Sequence, residues 1–344
     1  MKKKYKSLLI VIIVMLTSIV LLFIHQNTYK MIEKRVEINT PNGTLTGTLA
    51  LPNDYSGKLG LVVFVHGDGE INASYDDGYK PLWEKLASVG YASLSWNKPG
   101  INGSSGNWLN QSMDDRAQEV INVINWTKYL PEIDSERIGL WGSSQAGWVI
   151  PKVVKENKNI AFSILVAPAI NWISQGQYNT RKTLLKEGHS EGEIKEVAEY
   201  ATQVLDLLKS QSTYDKYLKI ANKDAFISKD RWNFIKKNYQ SDATEDLKYF
   251  NSPVHLVLGG QDINVDVNNT ELIYRQNVQS NLLSVSFLPN ADHSMLKKDI
   301  ATSKLLTNLT AIFFPRYLFD DKYLNDLTQF ISNTNRSCKS QLFP

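Results

Sequence analysis

From Glu33 onward the chain reads as an α/β protein, a mostly parallel sheet covered by helices on both faces. Three observations predict this. Short apolar runs alternate along the chain with segments of helical spacing. Several of those runs, Leu61-Val62-Val63-Phe64-Val65 among them, are apolar without interruption, as strands buried on both faces must be. Between another such run and a helical stretch stands Gly142-Ser143-Ser144-Gln145-Ala146-Gly147, where a tight strand-to-helix turn belongs.

The N-terminus comes first. Lys2, Lys3, Lys4 and Lys6 precede an uncharged run from Ser7 to Ile24. At a rise of about 1.5 Å per residue that run covers about 27 Å, enough for a hydrocarbon core. His25-Gln26-Asn27-Thr28-Tyr29-Lys30 offers neither an Ala-x-Ala-like cleavage site nor a cysteine to accept a lipid. Residues 1–30 are therefore expected to form an uncleaved anchor, spanning about 7–24, with a cytoplasmic N-terminus and an extracytoplasmic folded domain. Secretion after signal cleavage is the alternative.

Val36-Glu37-Ile38 and Thr44–Leu49 alternate with period two around the turn signal Pro41-Asn42-Gly43, which predicts an antiparallel edge pair. Leu61–Val65 is a buried strand, Leu82–Val89 a short helix and Tyr91–Trp96 another strand. Met113, Ala117, Val120, Ile121 and Ile124 recur at helical spacing behind Ser112, which is placed to cap them. Arg137–Trp141, Ile160–Val166, Val254–Leu258 and Leu282–Leu288 complete the strands. The helix after the glycine-rich turn is expected to start at Gln145 and to kink at Pro151.

Residues 169–250 break the alternation. They are charged and helical, with a capping box at Ser190-Glu191-Gly192-Glu193 and an apolar stripe of Ile194, Val197, Ala201, Val204, Leu205 and Leu208. An insertion of that length predicts a helical cap, leaving 31–168 and 251–331 as the core. Residues 332–344 read as a polar, frayed tail.

The 344 residues are 42% hydrophobic and 21% charged, a globular composition. A net charge of +3, part of it N-terminal, makes no case for a nucleic-acid partner. The single cysteine, Cys338, excludes an internal disulfide and a cysteine-based zinc site, and reads as an exposed free thiol. No ligand spacing calls for a metal, and Gly100–Gly106 lacks the Gly-Lys-[Ser/Thr] ending of a phosphate loop. No cofactor is expected.

A serine at a tight strand-to-helix turn projects its hydroxyl clear of the backbone, and small neighbours relieve the crowding. Ser144 holds that position, with Ala146 where the strict Gly-x-Ser-x-Gly pattern has its last glycine. Such a serine needs a histidine to take its proton and a carboxylate to orient the imidazole. Of five histidines, His25 is membrane-proximal, His66 ends a strand, His189 starts a cap helix and His255 lies within an apolar strand. His293, in the loop after the last strand, remains, at the sheet edge where catalytic groups gather. Asp262 follows the Val254–Leu258 strand directly and is preferred to Asp266, which begins the next helix. His66-Gly67-Asp68-Gly69 follows an early strand, and its close turn suits the Asp68 N–H as an oxyanion donor alongside the Gln145 N–H. The Asp68 side chain should point away or pair with a cation. Trp148 and Trp172 are candidates for an aromatic substrate wall, with core packing as the other reading.

These residues resemble the α/β-hydrolase-fold serine hydrolases over Glu33 to Ile331. Phe64–Gly69 resembles the family's oxyanion strand and turn, and Trp96–Ser104 its Asp-x-Arg-Gly-x-Gly-x-Ser loop. Gly142–Trp148 resembles the elbow of the branch holding lipases and esterases, serine aminopeptidase-like and bile-acid acyltransferase/thioesterase-like proteins. Ala146, Asn97 and Pro99 depart from these patterns without removing a catalytic group. The resemblance implies an eight-stranded sheet with a cap inserted after the sixth strand. It also implies acyl-enzyme chemistry on a small-molecule carboxylic ester. A peptidase or amidase, a thioesterase, and a non-catalytic binding module are the competing readings. The oligomeric state has no signal in the chain.

Overall fold

The computed structural model describes residues 2–223 and 225–342, with side chains described from Tyr5 to Thr334 apart from Asp224. The strands are β1 (Met31–Thr40), β2 (Gly43–Pro52), β3 (Leu59–Val65), β4 (Tyr91–Trp96), β5 (Ile133–Ser143), β6 (Phe162–Val166), β7 (Val254–Gly259) and β8 (Leu283–Leu288). They form one sheet in the order β1-β2-β4-β3-β5-β6-β7-β8. β1 and β2 are antiparallel to each other, β2 is antiparallel to β4, and every later pairing is parallel. This is the α/β-hydrolase fold, with its antiparallel edge where the period-two pattern predicts it.

The helices α1 (Lys2–Asn27), α2 (Lys80–Ala87), α3 (Met113–Thr127) and α4 (Ile150–Glu156) precede β6. Between β6 and β7 lie α5 (Trp172–Glu187), α6 (Glu191–Lys209), α7 (Tyr214–Leu218) and α8 (Lys229–Asn238). α9 (Val267–Asn277), α10 (Lys298–Ala301), α11 (Lys304–Phe313) and α12 (Asp321–Leu342) follow β7.

The uninterrupted apolar strands feed two separate layers. Leu61, Val63 and Val65 point to the face packed by α3, α4 and α9, with Val120, Val123, Val153 and Tyr274. Val62 and Phe64, one residue out of phase, point to the other face, where Trp83 and Leu86 of α2 meet Tyr323 and Leu327 of α12. Each such side chain contributes about 1.5–3 kcal/mol on burial. A strand feeding both layers has no polar position left, which is why the run is continuous. A third cluster, Leu208, Tyr217, Trp232 and Tyr239, holds α6, α7 and α8 together.

Three local expectations are corrected. Ser144–Trp148 is a 3₁₀ turn, and the α-helix begins only at Ile150. Pro151 therefore lies in the first turn of α4, where its missing N–H costs nothing, and it starts a helix instead of kinking one. Among the described residues the segment after Ile331 is helix where a frayed tail was expected: α12 continues to Leu342. Its stripe of Tyr323, Leu324, Leu327 and Ile331 is docked on the second layer, and an established helix propagates at one hydrogen bond per residue. The Cys338 side chain lies outside the described residues.

α1 is one helix, and Tyr5–Asn27 is long and apolar enough to cross a membrane, with none of its apolar window buried in the protein.

Candidate active site

β5 ends at Ser143, and the next residue, Ser144, takes φ = +54°. A left-handed backbone on a residue with a Cβ costs about 1–3 kcal/mol and persists only where the surroundings over-determine it. Its neighbours do so. A Cβ on Gly142 would come within 2.6 Å of the Ala146 Cβ, and one on Gly147 within 2.5 Å of the Ala169 carbonyl oxygen. The Ser144 carbonyl accepts from the Ala169 N–H at 3.0 Å. These contacts explain the departure at Ala146. Its methyl occupies the space that Gly142 leaves empty, and the close backbone approach falls one residue later, on Gly147.

Asp262 and His293 come together at the carboxyl edge of the sheet. His293 Nδ1 lies 2.8 Å from Asp262 Oδ2. A carboxylate accepts, so Nδ1 carries the proton and Nε2 keeps a free lone pair. Asp262 is buried, and its other oxygen, Oδ1, accepts from the N–H groups of Asn264 (2.7 Å) and Val265 (2.9 Å). Those bonds hold the carboxylate with Oδ2 turned to the imidazole. Asp266 instead caps α9, accepting from the Asn269 N–H at 3.1 Å. The strand register places Ser143 beside Val166, Val166 beside Val257 and Gly259 beside Leu288, so Ser144, Asp262 and His293 all leave the same edge. No hydrogen bond among the described residues joins the Ser144 hydroxyl to His293.

The His66–Gly69 turn faces Ser144: a Cβ on Gly67 would lie 3.6 Å from the Ser144 Cβ. Buried cations hold this turn. Lys98 Nζ donates to the carbonyls of Gly67 (2.6 Å) and Gly69 (2.9 Å). Arg116 donates to the His66 carbonyl at 2.6 Å and also to the Gln145 side-chain oxygen. Gln145 Nε2 donates to Asp68 Oδ1 at 3.1 Å. One side-chain chain thus ties the turn bearing the Asp68 N–H to the turn bearing the Gln145 N–H. Neither N–H is consumed by a tertiary hydrogen bond among the described residues. Burial, and then the charge of Arg116, push the Lys98 ammonium well below its ordinary range.

The Asp68 carboxylate pairs with Arg231 of α8, through Nη1–Oδ1 at 2.9 Å and Nη2–Oδ2 at 2.5 Å. Burial pushes this carboxyl up, but the Arg231 bonds and charge, the charge of Lys98 and the Gly69 N–H together hold the group below its ordinary value. The His66 ring is buried too. Its Nε2 lies 2.5 Å from the Trp96 carbonyl, so Nε2 bears the proton and Nδ1 faces the Tyr79 hydroxyl at 3.2 Å.

Trp148 is buried in the core, its indole N–H spent on the Ile170 carbonyl at 2.8 Å, and it stacks on Trp172 with centroids 4.9 Å apart. Of the two, Trp172 borders open space. It lines a cavity of about 640 Å³ inside the cap together with Ile194, Val204, Leu205, Leu208 and Ile235. The apolar stripe of α6 faces this cavity, and neither Ser144 nor His293 borders it. On α5, the Tyr178 hydroxyl donates to the Asp262 carbonyl at 3.3 Å, so this helix also touches the loop after β7.

Lys98, Arg116, Arg231 and Tyr178 escaped the sequence reading. Arg116 left one trace: it falls at helical spacing on the apolar stripe of α3 beside Met113 and Val120, where a charge needs a buried partner. Arg231, on a charged cap helix, left none.

A family model described as X-Pro dipeptidyl-peptidase (S15 family) matches residues 44–295. An uncharacterised peptidase of Bacillus subtilis, YuxL, is 25% identical over 161 residues, 44% of this chain and 24% of that protein. An uncharacterised 31.7 kDa protein from the traX-finO intergenic region of Escherichia coli is 24% identical over 192 residues, 52% of this chain and 64% of that protein. The chain thus spans less than two thirds of the length of either relative. Among solved structures, an esterase of Pyrococcus furiosus matches with a TM-score of 0.57 at 17% identity, covering 88% of this chain and 91% of that one. Dipeptidyl peptidase 4 of Porphyromonas gingivalis matches with a TM-score of 0.51 at 17% identity, over 83% of this chain and 35% of that one. At these identities the likeness is one of fold.

Proposed function

The chain belongs to the X-Pro dipeptidyl-peptidase (S15) family, a hydrolase of α/β-hydrolase fold, and from that premise we propose that it cleaves carboxylic esters as a membrane-anchored serine hydrolase facing outward. The observation that carries this reading is a serine strained to φ = +54° on the same sheet edge as a bonded His293–Asp262 pair. Ser144 Oγ attacks the ester carbonyl as His293 Nε2 takes its proton, and Asp262 stabilises the imidazolium. The carbonyl oxygen, now an oxyanion, is met by the Asp68 and Gln145 N–H groups. Collapse expels the alcohol with the proton from His293, leaving an acyl-serine. Water, deprotonated by the same imidazole, then releases the acid.

Family membership favours a second reading, cleavage of X-Pro dipeptides from peptide N-termini. That chemistry needs a carboxylate free to receive an α-ammonium. Three carboxylates on the site's own loops are engaged: Asp68 by Arg231, Asp262 by His293, and Asp292 by the Ser294 and Leu296 N–H groups. This supports the ester. A fluorophosphonate probe should label Ser144, and Ser144→Ala should abolish labelling and hydrolysis of short p-nitrophenyl esters. Retained labelling in that variant would reject the assignment. A panel of esters, thioesters and X-Pro anilides, assayed on the full chain, separates the readings. Faster turnover of the anilides would make the peptidase the answer.

A further inference from the structure

We propose that α11 is a second membrane contact, an interfacial helix whose apolar face enters the outer leaflet beside the exit of α1; this rests on reading α1 as a membrane anchor. The helix is inside out for a soluble domain. Leu305 is 69% exposed, Ile312 52%, and Leu306, Leu309 and Phe313 are also exposed, whereas the buried residue of α11 is a threonine, Thr310. At 3.6 residues per turn the five apolar side chains fall within an arc of about 120°. Thr310 and Thr307 point inward instead, and the Thr307 hydroxyl is spent on the Ile300 carbonyl at 3.0 Å. Folding gains little from an apolar stripe turned away from the core, so its partner lies outside the fold.

The position of α11 says which partner. Its C-terminal end packs on the last turn of α1: the Phe23 and Phe313 rings are 5.8 Å apart, and Asn27 Nδ2 donates to the Ile312 carbonyl at 3.1 Å. The joint is fixed by Arg316, which donates to the carbonyls of Gln26 (2.5 Å) and Thr28 (2.7 Å), pairs with Glu84 at 2.7 Å, and lies over the Tyr29 ring. Tyr5–Asn27 covers about 34 Å at 1.5 Å per residue, so its last turn sits where hydrocarbon gives way to headgroups. α11 is held at that depth. Tyr317, 61% exposed with the Lys297 ammonium 3.4 Å from its ring centroid, adds the amphipathic aromatic and the cation that suit a headgroup layer. A bilayer touched at two points fixes the rotation of the domain about α1, which a single span does not.

The test uses the full chain carrying Cys338→Ser, reconstituted in phosphatidylcholine vesicles, with one cysteine at a time bearing an environment-sensitive fluorophore. Leu309→Cys reports on α11, Leu16→Cys on the centre of α1, and Leu218→Cys on an exposed cap position. The expected result is that lipids with a nitroxide high on the acyl chain quench Leu309→Cys, with a blue-shifted emission that aqueous iodide barely reduces. Leu218→Cys should show the reverse. If Leu309→Cys behaves like Leu218→Cys while Leu16→Cys remains lipid-quenched, the inference fails and the anchor stands. If Leu16→Cys is also open to iodide, the anchor reading falls and this inference with it. If Leu309→Cys is shielded from both quenchers, a protein surface such as a second copy covers α11, and the inference is overturned.

Discussion

At Ser144 the backbone is held in the left-handed region, and the base and carboxylate proposed to activate its hydroxyl stand on two other loops. His293→Ala removes the base and should lower kcat by about 10⁴–10⁶-fold, read in a steady-state ester assay. A near-normal rate would remove His293 from the mechanism. His66 gives a separate prediction about stability. Burial, then the charge of Lys98, depress its pKa to about 3. The unfolded chain therefore binds a proton between about pH 6.5 and 3 that the native state refuses. Its contribution is fully present above pH 6.5 and drains away as the pH falls. At pH 5 that amounts to a loss of about 2 kcal/mol. His255, depressed by burial to about 4, acts in the same direction. Comparing unfolding at pH 7 and pH 5 tests this: His66→Gln should show a shallower loss than the parent. Equal slopes would refute it.

At the scale of elements, α8 carries the coupling between cap and core. Asn238 accepts from the Met113 N–H at 2.9 Å and donates to the Gln111 carbonyl at 3.0 Å, which clamps the end of α8 to the start of α3. From the same helix Arg231 reaches Asp68 beside the proposed oxyanion donors. Without Arg231 the Asp68 carboxylate would repel the developing oxyanion. Two unit charges about 8 Å apart interact by about 0.5–2 kcal/mol over effective dielectrics of roughly 20–80. Arg231→Ala should accordingly reduce kcat by about tenfold. Adding Asp68→Asn should restore most of it, since the double variant carries neither charge. If the double variant is as slow as the single one, the ion pair acts only by positioning α8.

Across the whole molecule, the sheet keeps its strand ends open at one edge while two apolar layers seal its faces. A 163-residue separation between Asp68 and Arg231 is closed by the docking of the cap, and a 290-residue separation between Gln26 and Arg316 by the joint at α1. Both contacts belong to the assembled shape. The second sets how the domain stands against the bilayer in the reading proposed for α1 and α11, and the probe series at Leu309, Leu16 and Leu218 reads that stance directly.

Periodicity and turn chemistry were enough to recover the strands, the antiparallel edge, the helix cap at Ser112 and the capping box at Ser190, because each is decided within a few residues of chain. The continuous apolar strands likewise announced a sheet covered on both sides. The placing of Ser144, Asp262 and His293 at one edge of the sheet was legible because each follows its own strand. Pro151 was misread because the 3₁₀ turn before α4 depends on how Gly147 packs against Ala169, a contact that no local pattern encodes. Lys98 and Arg231 left no trace as site residues for the same reason, and Arg116 left only its place on the apolar stripe of α3. A cation on a loop or a helix face looks solvated until the fold delivers the carbonyls and carboxylate it holds. Local sequence thus determined which elements form and which residues stand at their ends. Tertiary structure alone decided which charges meet, since partners far apart in the chain are chosen only when the layers close and water is driven out between them.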